Sequence, residues 1–338
     1  MQATNVFRRR SRVEVAHYNL RMPTTTDRGL FVWHELNTTD VEAADRFYSK
    51  LIGWKTTAWD PNPSYKIWTM GREGRGGLYA IHEEPNAIAP PPHWLTYIGT
   101  PDVDATVRQA VELGGKVVTP AYDVPSIGRM AVLQDPQGAM FAVSAQTARS
   151  QYKNPQLGDF SWHELLTTNP QTAWEFYHKL FGWMKTGALD MGGGSMYQMF
   201  GHGGIPVGGI FTPPAGLPGR ALWIPYVMVR DARRTADVAK NLGAAIVHGP
   251  IEVPGGDWVF TGVDHQGAFF ATHSAKRADA EPAKPARTTK ITKKTTKAAK
   301  KKTTKATKKS SSRAGLQSRR PTKKKTNTKT KKKSSKKR

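Results

Sequence analysis

The chain has no cysteine among its 338 residues. Disulfides, thiolate metal sites and a cysteine nucleophile are therefore excluded, and the composition fits a reducing compartment such as the cytoplasm. No run of about 18 apolar residues occurs, so no membrane span is expected. Nor is there a strand-to-helix phosphate loop. The glycine-rich stretches 71–77 and 192–194 lack that context and read as loops near a cavity mouth. Net charge is absent where a fold is expected: residues 1–275 hold 24 basic and 24 acidic side chains. The whole excess of +25 sits in residues 276–338, where 27 Lys and Arg face only Asp279 and Glu281.

What is present is a repeat. Gly29-Leu-Phe-Val-Trp-His-Glu-Leu, then Phe47-Tyr48, then Leu51-Ile-Gly-Trp54 returns as Gly158-Asp-Phe-Ser-Trp-His-Glu-Leu, Phe176-Tyr177 and Leu180-Phe-Gly-Trp183. The offset is 129 residues, and it still holds at Trp94/Trp223, Tyr97/Tyr226 and Gln137-Gly138/Gln266-Gly267. One design is used twice. The organisation that follows is a basic leader (1–28), a first domain (29–146), a linker (147–157), a second domain (158–275) and a Lys-rich tail (276–338). Each domain is long enough to bury a core. The leader carries Arg8-Arg9-Arg10 and Arg12 without the apolar run of a secretory signal, and Met22 is an alternative translation start.

Each repeat alternates strand, helix and strands, twice over. Residues 30–36 predict a strand. Thr39 or Asp40 can cap a helix in which Ala43, Ala44, Phe47, Leu51 and Ile52 recur at helical spacing, and Gly53 stops it. Strands follow at 55–59, 65–70 and 77–81. The order restarts with a strand at 94–99, a helix at 103–113 ended by Gly114-Gly115, and strands at 116–118, 130–134 and 140–144. An Asp-Pro-Gln-Gly turn (135–138) joins the last two. The fold class is α+β, and the chain carries four βαβββ units.

Four such units, a helix ending Phe-Tyr-x-x-Leu-x-Gly-Trp and a late Asp-Pro-x-Gly turn resemble the vicinal oxygen chelate superfamily, which includes glyoxalase I, extradiol dioxygenases and bleomycin-resistance proteins. The pattern is similar above all to tandem-domain glyoxalase- or hydroxylase-named proteins of actinobacteria. The resemblance spans residues 29–275. It implies curved sheets cupping a cavity, with a divalent metal (Fe, Zn, Mn or Ni) on the floor acting as a Lewis acid. It also implies metal ligands at Trp33 and Trp162 and, four residues after the turn glycine, at Ala142 and Ala271. Neither Trp nor Ala can ligate, so the usual site is broken in both copies.

Alternation along the strand places Phe31, Trp33 and Glu35 on one face and Val32, His34 and Leu36 on the other. With Trp33 toward the cavity, Glu35 follows, as do Trp162 and Glu164. Glu35 and Glu164 are the candidate acid or base groups, with pKa values raised by desolvation. The competing reading is a Glu satisfied by backbone N–H groups or by Arg129. His34 and His163 then face the helices as core histidines. A register error of one residue would exchange the roles of His and Glu, so His34, Glu35, His93, His163 and Glu164 are all candidate metal ligands. Trp33, Trp162, Tyr97, Tyr226, Trp94 and Trp223 are candidate ligand-binding cavity residues. For the tyrosines, the competing reading is a core aromatic with one hydroxyl bond.

From residue 276 the chain is Lys, Thr, Ser, Ala and Pro, with Ile291 and Leu316 as its only large apolar residues. Such a composition predicts disorder. Its texture resembles the tails of linker histones. Lys293, Lys294, Lys300, Lys301, Lys302, Lys323, Lys324, Lys325, Lys331, Lys332 and Lys333 are the candidate phosphate contacts. They predict sequence-independent binding of DNA or another polyanion, and a nucleoid location. The functional readings are three: a small-molecule binder tethered to DNA, an acid–base or metal enzyme of the superfamily, and a nucleoid protein whose domains serve assembly. A monomer or homodimer fits each.

Overall fold

The computed structural model describes residues 28–81, 90–146, 153–213 and 219–276. Leader residues 1–27, linker residues 147–152 and tail residues 277–338, with the eleven candidate lysines, lie outside them. The first repeat runs β1 (Phe31–Thr38), α1 (Val41–Ile52), β2 (Lys55–Trp59), β3 (Asn62–Met70), β4 (Glu73–Ala80), β5 (His93–Gly99), α2 (Val103–Glu112), β6 (Lys116–Val124), β7 (Gly128–Gln134) and β8 (Met140–Gln146). The second runs β9 (Phe160–Leu166), α3 (Pro170–Phe181), β10 (Met184–Asp190), β11 (Met196–His202), β12 (Ile205–Phe211), β13 (Leu222–Met228), α4 (Ala232–Asn241), β14 (Ala245–Glu252), β15 (Trp258–Val263) and β16 (Phe269–Ser274). Among the described residues no helix is long and apolar enough to cross a membrane.

Each repeat forms one eight-stranded mixed sheet, ordered β2-β3-β4-β1-β5-β8-β7-β6 and β10-β11-β12-β9-β13-β16-β15-β14. The first strands of the two units, β1 and β5, pair antiparallel at the centre. Each then takes the last strand of its own unit in parallel: β1 with β4, β5 with β8. The result is the α+β tandem fold expected, with two βαβββ units per sheet.

Local chemistry sets the helix ends. Asp40 accepts from Ala43 N at 2.8 Å, filling an orphan donor at the start of α1. Gly53 ends it at φ 91°, a left-handed position that costs glycine least. One expected boundary is corrected: β4 starts at Glu73, so Gly74, Gly76 and Gly77 are strand residues and not part of a loop. A reason for the glycines is contact. A Cβ on Gly77 would lie 1.8 Å from the Tyr65 hydroxyl, and one on Gly209 would lie 2.0 Å from Cζ of Tyr197.

The two largest cores cross the repeat boundary. One joins Phe47, Tyr48, Trp54, Trp68 and Trp94 of the first repeat to Ala236, Phe260 and Phe270 of the second. The other joins Ile98, Leu133, Phe141 and Val143 to Tyr177, Phe181, Trp183, Phe200 and Trp223. Two smaller clusters stay within one repeat: Leu95, Tyr97, Met130, Val132 and Ala142 in the first, and Leu166, Tyr197, Phe211, Ile224, Tyr226 and Ala271 in the second. The first helix of each copy packs between its own sheet and residues of the other copy: Phe47 and Tyr48 meet Phe270, and Phe176, Tyr177 and Phe181 meet Phe141.

The repeated motifs are the fasteners of this seam. Tyr48 donates to Asp264 at 3.0 Å, and Tyr177 donates to Asp135 at 3.1 Å. Trp54 Nε1 donates to the Gly158 carbonyl at 3.0 Å, and Trp183 Nε1 to that of Gly29 at 2.8 Å. Gln266 accepts from Asp40 N at 2.7 Å and donates to its carbonyl at 2.8 Å, locking the turn of one repeat onto the first helix of the other. Arg75 adds a bridge to Asp159 at 2.8 Å across the same seam. His34 and His163 point into this seam, and by alternation Glu35 and Glu164 point to the opposite face of each sheet.

Candidate functional site: two cups built on a glutamate

The floor of each cup is a carboxylate ringed by phenols. In the second repeat, Glu164 on β9 receives the hydroxyl of Tyr197 at 2.9 Å on one oxygen and that of Tyr226 at 2.5 Å on the other. Trp162 Nε1 donates to the Tyr197 oxygen at 2.6 Å. In the first repeat, Trp33 Nε1 donates to Tyr65 at 2.9 Å, and Tyr65 in turn bonds Glu35. Tyr97 donates to Glu35 at 3.4 Å, and Asn37 Nδ2 donates at 3.1 Å. The motif is an indole, a phenol and a carboxylate in series, closed by a second phenol from the neighbouring strand.

Strand geometry explains the ring. Trp33 stands opposite Tyr97, and Trp162 opposite Tyr226, so each pair shares a face. Tyr97 stands beside Ala142, and Tyr226 beside Ala271, both fully buried. Those alanines make room for the phenols at the positions where the superfamily resemblance implies a ligand.

Burial dominates the electrostatics. It raises Glu35 above the usual carboxylate range against the pull of Tyr65, Asn37 and Tyr97. It pushes Glu164 up to about 7, with Tyr226 and Tyr197 pulling the other way. Burial first, and the adjacent carboxylate second, hold Tyr65, Tyr97 and Tyr197 above their ordinary values, so they stay protonated donors. Both glutamates are half-buried.

Several expected placements are corrected. Trp94 and Trp223 are not cavity residues. Each lies on the helix side, donating to Tyr48 at 3.2 Å and Tyr177 at 3.0 Å. Trp94 and Tyr97 are three apart on one strand and so face opposite ways. Arg129 does not satisfy Glu35; it is engaged by Asp104 and Asp123. His34 and His163 lie on the face away from the glutamates and bond each other, Nε2 to Nε2, at 2.8 Å. They cannot join Glu35 or Glu164 in one ligand set. His93 stands beside Asn37 and donates Nδ1–H to the Pro91 carbonyl at 2.8 Å.

These residues do not fit a metal. Both oxygens of Glu164 are occupied by phenols that burial keeps protonated, and among the described residues neither floor adds a second acid or a histidine hydrogen-bonded to it. Among the described residues no group of three or more His, Asp and Glu side chains is assembled to hold an ion.

Tyr65 and Tyr197 are the site residues that sequence reasoning missed. Their signal was a Tyr-x-x-aromatic spacing, Tyr65/Trp68 and Tyr197/Phe200, hidden because the offset there is 132 and not 129.

Residues 30–143 match the Glyoxalase/Bleomycin resistance protein/Dioxygenase superfamily, and the chain belongs to that family. Among its relatives is CFP32 of Mycobacterium tuberculosis, which carries a provisional glyoxylase name. It is 34% identical over 254 residues, covering 71% of this chain and 92% of that protein. The anthracycline biosynthesis protein DnrV of Streptomyces peucetius is 29% identical, covering 68% of this chain and 87% of its own. In fold the chain is similar to an extradiol ring-cleaving dioxygenase from B. fuscum (TM-score 0.53, 15% identity, 77% of this chain and 75% of that one). It is similar also to the Mn(II)-bound glyoxalase of Novosphingobium aromaticivorans (TM-score 0.50, 17% identity, 73% and 82%).

Proposed function

We propose that this protein binds a small aromatic or apolar molecule in its cups, seated on Trp33/Trp162 with a polar group against the tyrosine–glutamate floor. We propose further that residues 276–338 hold it on DNA. The observation that carries the first reading is the duplicated series of indole, phenol and half-buried carboxylate. It offers flat apolar surface beside one hydrogen-bonding point, which is how small-molecule sites combine affinity with orientation. The relatives named for anthracycline biosynthesis support an aromatic ligand. The tail reading rests on charge: 27 basic residues in 63 positions neutralise phosphates wherever they meet them. A nucleoid location follows from that binding. The domain limits 29–146 and 158–275 remain part of the proposal as units of sequence.

Thermal shift against a panel of polycyclic aromatics tests the first reading, because a ligand that binds only the native state raises the melting temperature. The expected outcome is a rise with at least one compound, reduced by Trp162→Ala and abolished by Trp33→Ala and Trp162→Ala together. A flat response across the panel would sink it.

A second reading has its own observation. A carboxyl that titrates near 7 can donate or take a proton at physiological pH, so Glu164 could serve acid–base chemistry on the bound molecule. Turnover abolished by Glu164→Gln at unchanged ligand affinity would establish it. Added Mn2+ that raised the melting temperature would instead favour metal chemistry.

A further inference from the structure

Ser161 occupies a bulge. Tyr226 pairs with Trp162 and Val227 with Phe160, which leaves Ser161 without an opposite residue on β13. Bulges re-aim a side chain and are common beside active sites. Here Ser161 Oγ meets His273 Nδ1 at 3.0 Å, and His273 Nε2 meets Asp257 Oδ2 at 2.9 Å. Asp257 is itself fixed, its other oxygen accepting from Lys276 N at 2.7 Å. The carboxylate can only accept, so a neutral imidazole places its proton on Nε2 and turns the Nδ1 lone pair to the serine hydroxyl. A nucleophile, a base and a group orienting the base stand in hydrogen-bond order.

We propose that Ser161, His273 and Asp257 form a serine nucleophile site in the second repeat, acting on small carboxylic esters. The ring is turned relative to the familiar serine triad, with Nδ1 rather than Nε2 toward the hydroxyl. Either imidazole nitrogen can take the proton once the other is held by a carboxylate. Ser161 Oγ attacks the ester carbonyl carbon and its proton passes to His273 Nδ1. The carbon–alkoxide bond then breaks, and the alcohol leaves with that proton. Water repeats the sequence on the acyl-serine, releasing the acid and restoring Ser161. The trio is open to substrate: the side chains of His273 and Asp257 are 18% and 38% exposed. Ser161 adjoins Trp162, and His273 pairs with Val259, a residue of the apolar cluster in that cup. Preference for an aromatic ester rests on the cup reading above; the nucleophile does not.

The first repeat supplies an internal control. It has the same bulge at Val32, but Val32, Ser144 and Gly128 stand where Ser161, His273 and Asp257 do. A bond chain needed only to hold this fold would not be dispensable in one of two copies.

The test treats the full chain with p-nitrophenyl acetate and, separately, with a fluorophosphonate, followed by intact mass and peptide mapping. The expected result is one acetyl or phosphonyl group on Ser161, none on the first repeat, and none in Ser161→Ala. His273→Ala should slow labelling by about 100-fold, the range for loss of a general base. Asp257→Asn should lose most of the rate while Asp257→Glu recovers it. Melting curves for each variant separate loss of chemistry from loss of fold. Labelling spread over surface serines, or undiminished in folded His273→Ala, overturns the proposal. Labelling of Ser161 with no preference between phenyl and ethyl esters would keep the nucleophile and remove the aromatic assignment.

Discussion

Nε2 of His34 and Nε2 of His163 meet at 2.8 Å in the middle of the seam between the repeats. Each ring is stacked, His34 on Phe160 at 3.7 Å and His163 on Phe31 at 3.5 Å. His163 Nδ1 donates to the Val207 carbonyl at 3.1 Å, so its Nε2 is the acceptor and His34 supplies the proton between them. Two protonated rings would oppose N–H to N–H in an apolar wall.

The pair should make the fold acid-sensitive. Burial, then the neighbouring His163, holds His34 well below the usual range; burial pushes His163 down to about 3, against the pull of the Val207 carbonyl. Both rings stay neutral in the fold while the unfolded chain takes up protons below about 6.5, so stability is full above that pH and falls as pH drops from it toward 3. At pH 5 the loss is on the order of 2–4 kcal/mol for the pair, a drop of roughly 5–10 °C in melting temperature. The double variant His34→Leu/His163→Leu should remove that limb. Identical melting-versus-pH curves for the two proteins would refute the assignment.

Glu164 should act in the opposite sense. Its folded pKa of about 7 lies above the unfolded value, so the fold loses stability as pH rises from about 4.5 through 7. Glu164→Gln removes the charge and should stabilise the protein at pH 8 by up to about 3 kcal/mol, with little change at pH 4. The carboxyl resonance of a 13C-Glu sample gives a second check: one residue titrating near 7 that the variant lacks.

Gly209→Ala should break the second floor. The new methyl would overlap the Tyr197 ring, which must leave its place between Trp162 and Glu164. Overpacking of this kind costs about 1–3 kcal/mol. Ligand stabilisation by the second cup should be lost with it, while Gly77→Ala should act in the same way on the first cup alone, and the two together should leave none. Unchanged Tyr197 resonances in Gly209→Ala would contradict the argument.

The tail predicts steep salt dependence. Contacts to ~8–10 phosphates give a log–log slope of DNA affinity against salt near −7 to −9. Removal of residues 276–338 should abolish retention on a DNA column at 150 mM salt. Truncated protein that still elutes with the full chain would move the binding surface to the fold.

Much of the fold was legible because the repeated motifs sit at one offset and are tied to backbone geometry: the Asp40 cap, the Gly53 stop, the Asp135 and Asp264 turns. The Trp-His-Glu strand gave the floor carboxylates through alternation alone. The partners of those carboxylates were less legible. Tyr65 and Tyr197 fall where a turn three residues longer, with Gly192–Gly194, shifts the offset. Placing Trp94 and Trp223 in the cavity overlooked that three positions along a strand reverse a side chain. The packing of each first helix between both repeats is a property of tertiary pairing, and periodicity marks an apolar face without saying which copy will cover it.

The reciprocal fasteners, Tyr48 on Asp264 and Tyr177 on Asp135, have a consequence for how such a chain arises and diverges. Two identical subunits meeting about a twofold axis would make the same pair of bonds, so this molecule has the anatomy of a symmetric dimer joined end to end. A dimer of identical subunits must carry every change in both sites at once. Once fused, each site can vary alone while the shared cores keep both halves folded. The two cups already differ in this way: Thr261 faces the Tyr226 hydroxyl in one, and Val132 stands at the matching position in the other.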